Sequence, residues 1–481
     1  MSSEKNAHQE LKADIVVIGG GGSGLSAAVA AAELGASVVV LEKRSHLGGN
    51  ANFAEGFFAA ESPAQLRNHI YASRDECFRI AMNYSHWKID ARILRAFIDK
   101  SGDTVRWLES KGVDCNWIAP LYPNQVPLVW HCFKERGVAV MKVLRKCCED
   151  LGVKILLETP AKKILIGTEG QVIGVLALSS GKELQIETGN VIIATGGYAG
   201  NKELLRKYAP LWNENMGCGG LPNEGDGLLM AIEAGAEMEG MGIIQLVGPG
   251  YPGPDRLNAV STEPYTVWVN KEGRRFTDES TAYNIFESVN PVLLQPGRVC
   301  YSLMDDAMKQ NIIKNGICKG AGIVIVPPGS PYPELETDLQ LHSEKGGIKI
   351  AATWEEIAEW IMCDSSTLKQ EIDMYNSFCD CGHDKIFTKD RRFLVPLRTP
   401  PFYAFKCSLG FLGTIGGIKI NERMEVINRE GEPIPGLYAA GVDTGGWESD
   451  TYCAILSGTT FGFALNSGRI AAENIVKSLK R

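Results

Sequence analysis

The sequence predicts an α/β protein built around a parallel sheet, with a second, inserted unit of α+β type. Three observations carry this prediction. An apolar run, a glycine turn, a helix-periodic stretch and a second apolar run follow one another directly at 15–42. Two more apolar runs, at 191–194 and just before 441, also end in glycine turns, far from the first. The chain has 481 residues, more than one simple core organises, so the section between these strands has room for a unit of its own.

The first unit is the most specific. Ile15 to Ile18 form a buried strand, and Gly19, Gly21 and Gly24 follow as G-x-G-x-x-G. Ala27, Ala28, Ala31 and Leu34 recur at helical spacing, and Val38 to Leu41 form a second strand that ends on Glu42. Gly19 permits the tight turn, Gly21 lets the backbone approach a pyrophosphate, and Gly24 lets helix and strand pack closely. The helix N-terminus offers free N–H groups to phosphate charge. Glu42, about 20 residues on, is placed for ribose hydroxyls. In this strand–turn–helix–strand–acid context the motif predicts a Rossmann-like dinucleotide site.

Composition excludes other classes. Hydrophobic residues make up 44% and charged residues 22%, an ordinary globular mix. The net charge is −8 with no basic block, which argues against nucleic acid and anionic membranes as partners. The N-terminal segment lacks the pattern of a secretory signal, and no apolar run reaches the roughly 18 residues of a membrane span. The 13 cysteines are irregularly spaced and read as reduced thiols, so a cytoplasmic location is expected. A homo-oligomer stays open. Cys379, Cys381 and His383 in "CDCGHD" lack zinc-site spacing, so no metal is expected.

Later segments narrow the cofactor. "EKRSHLGGNAN", "NVIIATGGYAGN" and "IPGLYAAGVDTGG" together resemble FAD-binding flavoproteins of the two-dinucleotide-domain type. "LPNEGDGLLMAIEAGAE", "VNKEGRRFTDES", "MYNSFCDCGHDKIF", "PPFYAF" and "GTIGGIKIN" follow in the order of the fumarate reductase / succinate dehydrogenase flavoprotein superfamily. This resemblance covers about 13–477. It implies an FAD domain at 1–240 and 396–481, a capping domain at 241–395, and a cleft between them. The implied FAD contacts are Gly19, Gly21, Gly22, Ser23, Gly24, Glu42, Lys43, Gly48, Gly49, Asn50, Ala51, Ala194, Thr195, Gly196, Gly197, Asp226, Gly441, Asp443, Ser457 and Gly458. The last helix, from Gly458 to Leu479, points its N-terminus at the flavin. His46 lies in a different context from the histidines of covalent family members, so FAD is expected to be non-covalent. Electrons are expected to come from, or go to, a separate partner.

Fumarate-reducing members place arginine or histidine at four positions to hold a dicarboxylate. Here those positions read Tyr283, Gly413 in "LGFLGTIGG", a histidine-free "MGIIQLVGPGYPG", and "WESDTYCAILSGTTFG" with Tyr452. Two buried carboxylates would lack cationic partners, at a cost of several kcal/mol each. The replacing pattern resembles the 3-ketosteroid dehydrogenases of the same superfamily. That resemblance implies proton transfer at the α-carbon by Tyr283 and polarisation of a ketone by Tyr452 and the Gly458 N–H, with Tyr122 supporting Tyr283. Two residues more than in those enzymes separate Tyr452 from Gly458. Ile243, Ile244, Leu246, Phe411, Leu412, Trp447 and Ile455 are expected to line an apolar cleft for a flat ligand, such as a steroid or a phenylpropanoid. Arg274 and Arg275 are expected in a solvated turn. The function read from these residues is FAD-dependent oxidation or reduction of a CH–CH bond next to a ketone. The alternatives are an ene-reductase of a small unsaturated carboxylate, such as an acrylate or cinnamate, and a non-catalytic flavin subunit.

Overall fold

The computed structural model describes residues 9–480. Its central sheet runs in the order Glu425–Ile427, Pro433–Ala439, Val191–Ile193, Ile15–Ile18, Val38–Leu41, Lys154–Leu156, parallel except for the hairpin between its first two strands. Ile15–Ile18 and Val38–Leu41 are buried at every residue. That is why they read as continuous β-branched runs with no polar alternation: both faces of a parallel sheet are covered. The covering helices are Gly22–Glu33 and Thr459–Leu479. They touch at Gly468, where a Cβ would stand 2.2 Å from the Ser23 carbonyl oxygen. A meander of Ala161–Ile166, Val172–Ser179 and Lys182–Glu187, with Gln9–Lys12 at its edge, completes this unit.

The second unit is a mixed sheet centred on one long strand, Phe402–Thr414. Val299–Asp305, Ile348–Ala351 and Ile244–Gly250 pair with it antiparallel, and Gly217–Cys218 pairs with it in parallel. The expected border at 395 therefore falls before the strand that holds this sheet together. The strand's hydrogen bonds belong to the middle unit.

A buried ion cluster fixes the turn that carries Tyr283. Arg275 is not solvated as expected. Its Nε and Nη2 donate to Glu279 at 2.8 and 2.9 Å, and its Nη1 donates to Asp384 at 2.7 Å. Lys389 Nζ lies 3.0 Å from Glu279, which also accepts the Trp268 N–H at 3.1 Å. Only Arg274 faces solvent, 3.9 Å from Glu371. The segment "CDCGHD" thus serves through Asp384 as an anchor for Arg275, and among the described residues no cluster could hold a metal ion. Burial alone would raise Glu279, but Lys389 and Arg275 outweigh it and hold the carboxyl below its usual range. The 3₁₀ turn Glu279–Tyr283 starts from this cluster, with Asp278 capping it through Ser280 N–H at 2.9 Å.

Candidate functional site

A single cavity of about 1110 Å³ runs between the two units, from the glycine turn at one end to Tyr283 at the other. At the first end the chain makes a cradle. Gly21 has open space where a Cβ would point, the nearest atom being Gly48 O at 3.9 Å. The helix Gly22–Glu33 begins there with no side-chain cap, so its first N–H groups face the cavity with the positive end of the helix dipole. Glu42 closes the cradle, accepting the N–H of Gly20 and of Arg44, each at 2.8 Å. Lys43 pairs with Asp226 at 2.7 Å, and Asn50 accepts the Leu221 N–H at 2.6 Å. This donor set fits a dinucleotide: amides for the diphosphate and a carboxylate for the ribose.

Not every expected cofactor residue reaches the cavity. Gly19, Gly21, Gly22, Ser23, Glu42, Lys43, Gly49, Asn50, Ala51, Ala194, Thr195, Gly196, Asp226, Ser457 and Gly458 line it, whereas Gly24, Gly48, Gly197, Gly441 and Asp443 do not. Asp443 is buried and accepts N–H donors from Thr195, from Gly196 at 3.0 Å and from Gly197 at 2.8 Å. It shapes the 195–197 turn from behind. Burial raises its carboxyl despite those donors. Gly24 serves packing, since a Cβ there would lie 1.9 Å from Gly19 O. Gly24→Ala is expected to yield a chain that purifies with little bound flavin. Gly189→Ala, with nothing within 4 Å of its Cβ, should retain flavin in the same absorbance measurement.

At the other end stand the tyrosines. Tyr283 is half-buried, and its hydroxyl lies 3.9 Å from Cys318 Sγ. Burial, with Cys318 and Glu263 nearby, pushes its phenol well above the usual range. Tyr452 is buried, and its hydroxyl oxygen accepts the N–H of Gly458 and of Thr459, each at 2.9 Å. The two expected donors therefore act in series. The Gly458 N–H is taken by Tyr452, which itself lines the cavity. The 3₁₀ turn Ala454–Leu456 lies between Tyr452 and the helix end whose amides the tyrosine caps. Burial pushes Tyr452 up to about 12 even with both amides on its oxygen. Tyr122 lines the cavity but makes no hydrogen bond to Tyr283, whose neighbour is Cys318.

The expected apolar lining is corrected in part. Phe411 and Leu412 face the cavity, but Ile243, Ile244, Leu246, Trp447 and Ile455 do not. Trp447 is core, stacked on Phe463 with ring centroids 4.3 Å apart. The end of the long strand, Ser408 to Thr414, lines the cavity residue after residue, and the bulged pairing of Ile244–Gly250 is not visible in composition. The segment 318–325 was missed altogether. Cys318, Lys319, Gly320, Ala321, Gly322, Ile323 and Ile325 line the cavity. Glu263 accepts the N–H groups of Cys318 and Lys319 at 3.0 and 2.8 Å. Glu55, from the nucleotide unit, accepts those of Ile323, Val324 and Ile325 at 3.2, 2.8 and 3.1 Å. The glycine-rich "GICKGAG" was the available signal.

Residues 14–453 match the FAD binding domain family. The chain belongs to this family. Its cofactor is FAD, and it is an oxidoreductase of the fumarate reductase flavoprotein superfamily. A vinyl phenol reductase of Lactiplantibacillus plantarum is 34% identical, over 96% of each chain. A probable fumarate reductase of Shewanella frigidimarina is 29% identical, over 96% of this chain and 74% of that one. Among solved structures, a flavocytochrome c3 fumarate reductase superposes with a TM-score of 0.76 at 25% identity, covering 98% of this flavoprotein and 79% of the other chain. A 3-ketosteroid-Δ4-(5α)-dehydrogenase of Rhodococcus jostii RHA1 superposes at 0.77 over 99% of both chains, but at 22% identity it speaks for the fold alone. Among the described residues of this flavoprotein, no helix is long and apolar enough to cross a membrane.

Proposed function

We propose that this flavoprotein reduces a carbon–carbon double bond conjugated to an aromatic ring or a ketone, in a flat and largely apolar substrate. The observation that carries the reading is Tyr283, a half-buried phenol facing the cavity with only a thiol at 3.9 Å for a polar neighbour. A phenol held above its usual pKa stays protonated, which suits a proton donor better than a base. FAD, when bound and reduced by a separate donor, supplies the hydride. Tyr452 gives the substrate one further O–H, positioned by the two helix amides on its oxygen. A dicarboxylate is disfavoured. Lys43, Arg44 and Arg136 belong to segments at the nucleotide end, which leaves Lys319 as the one cation lining the tyrosine end among the described residues.

The relative named for vinyl phenol reduction supports an aryl alkene over a steroid, because its likeness spans the whole chain at 34% identity. The test is anaerobic. The flavin is reduced chemically, and its absorbance is followed as 4-vinylphenol, a 3-keto-4-ene steroid and fumarate are added in turn. Rapid reoxidation by 4-vinylphenol is expected. Reoxidation by fumarate alone would overturn the reading.

A further inference from the structure

We propose that Lys319 is the charge partner of a single acidic oxygen on the substrate, and that this oxygen is a phenol conjugated through its ring to the double bond. The proposal rests on the reading above and names the substrate class of the same site. Lys319 lines the cavity and is partly buried. Among the described residues no carboxylate lies within 4 Å of its Nζ. The other buried cations differ: Lys309 pairs with Asp306 at 2.6 Å, Lys389 with Glu279 at 3.0 Å and Arg275 with Asp384 at 2.7 Å.

The acid beside Lys319 is already engaged. Glu263 accepts the backbone N–H groups of Cys318 and Lys319 and sets the turn, and it attracts the ammonium without forming an ion pair within 4 Å. Glu55 holds the far side of the same segment, so the lysine projects from a fixed loop. An unpaired cation in a low-dielectric cavity is costly, and an anionic ligand atom relieves that cost.

The chemistry favours a phenol over a carboxylate. Burial lowers Lys319 to about 8, against the opposing pull of Glu263. Tyr122, Tyr283, Tyr452 and Cys318, which line this end with it, are all raised and stay neutral near pH 7. A lysine so placed exchanges its proton close to neutrality. It matches a phenol, whose reference pKa is about 10, better than a carboxylate near 4. A carboxylate is better held by the fixed charge and fork of arginine.

The balance closes for such a substrate. With the oxygen as phenolate beside the Lys319 ammonium, its electron pair moves through the ring as Tyr283 O–H gives its proton to the terminal alkene carbon. One C–H bond forms and the oxygen becomes carbonyl-like. A hydride taken up at the benzylic carbon forms the second C–H bond and returns the pair to the oxygen. The substrate gains one hydride, which reduced FAD would supply when bound, and one proton, which Tyr283 recovers from solvent.

The test uses FAD-loaded protein and 4-nitrophenol, whose absorbance reports its own ionisation. Wild type is expected to bind it and lower its apparent pKa. Lys319→Met should weaken binding of the ionised form by about tenfold or more, the scale of one charge-assisted hydrogen bond, and Lys319→Arg should restore it. Unchanged binding in Lys319→Met overturns the proposal. If Lys319→Met fails to fold, wild type decides: 4-hydroxystyrene should be reduced in strong preference to 4-methoxystyrene. Equal reduction of both overturns the phenol assignment and leaves the reductase reading standing. Reduction of neither, with a Lys319-dependent nitrophenol shift, removes the reductase reading and leaves the phenol site. Lys319-dependent binding of cinnamate with none of 4-nitrophenol assigns the lysine to carboxylates and overturns the proposal.

Discussion

Tyr283→Phe retains FAD and wild-type thermal stability but lowers turnover by at least about 100-fold, the lower end of the effect of a general acid. The substitution removes one oxygen, whose neighbour is a cysteine sulfur at 3.9 Å, so little packing is lost. The ring keeps its contact with Phe393, 5.9 Å between centroids. Without a proton for the alkene carbon the double bond is not activated toward hydride, and among the described residues the hydroxyl has only the Cys318 thiol beside it. Flavin reduction by an artificial donor should be unaffected in the variant, while reoxidation by the alkene slows. Near-normal reoxidation would remove Tyr283 from the reaction.

Glu279→Gln lowers stability by about 3–5 kcal/mol at neutral pH, the scale for removing one partner from a buried ion cluster. The glutamate side chain is fully buried, and its carboxylate faces both Arg275 and Lys389, so the amide leaves two cations short of charge. Urea unfolding of the FAD-loaded chain measures the loss as a lower midpoint at unchanged slope. The pH dependence has a definite sign. Glu279 is held below its ordinary value of 4.5, so its contribution is present above that pH and fades as pH falls through the lower folded value. The gap between wild type and Glu279→Gln should therefore narrow on acidification. A gap that widened would mean the carboxyl is not stabilised as its ionised form. Because the turn Glu279–Tyr283 grows from this cluster, the variant should also lose activity in excess of any loss of folded protein.

The sequence by itself determined the nucleotide end. Strand, glycine turn, helix and acid are contiguous over 15–42, and their physics is local: a turn that needs glycine, a helix N-terminus and a carboxylate one strand away. It also determined the superfamily, through motifs spread in order along the chain, and it singled out Tyr283 and Tyr452. What it could not determine were pairings between residues far apart. Asp443 turned out to hold the 195–197 turn from behind, some 250 residues earlier in the chain. Arg275 met Asp384 across the cap and left solvent. The strand 402–414 joined the middle unit because its hydrogen-bond partners lie at 217–218, 244–250, 299–305 and 348–351. Lys319 gained its meaning only in three dimensions. A lysine in a glycine-rich loop is ordinarily solvated, and only the tertiary structure placed it on a cavity wall, in a turn held by Glu263. Local backbone preference is written in neighbouring residues, but the charge balance of a cavity is a sum over distant ones, and only the folded chain performs it.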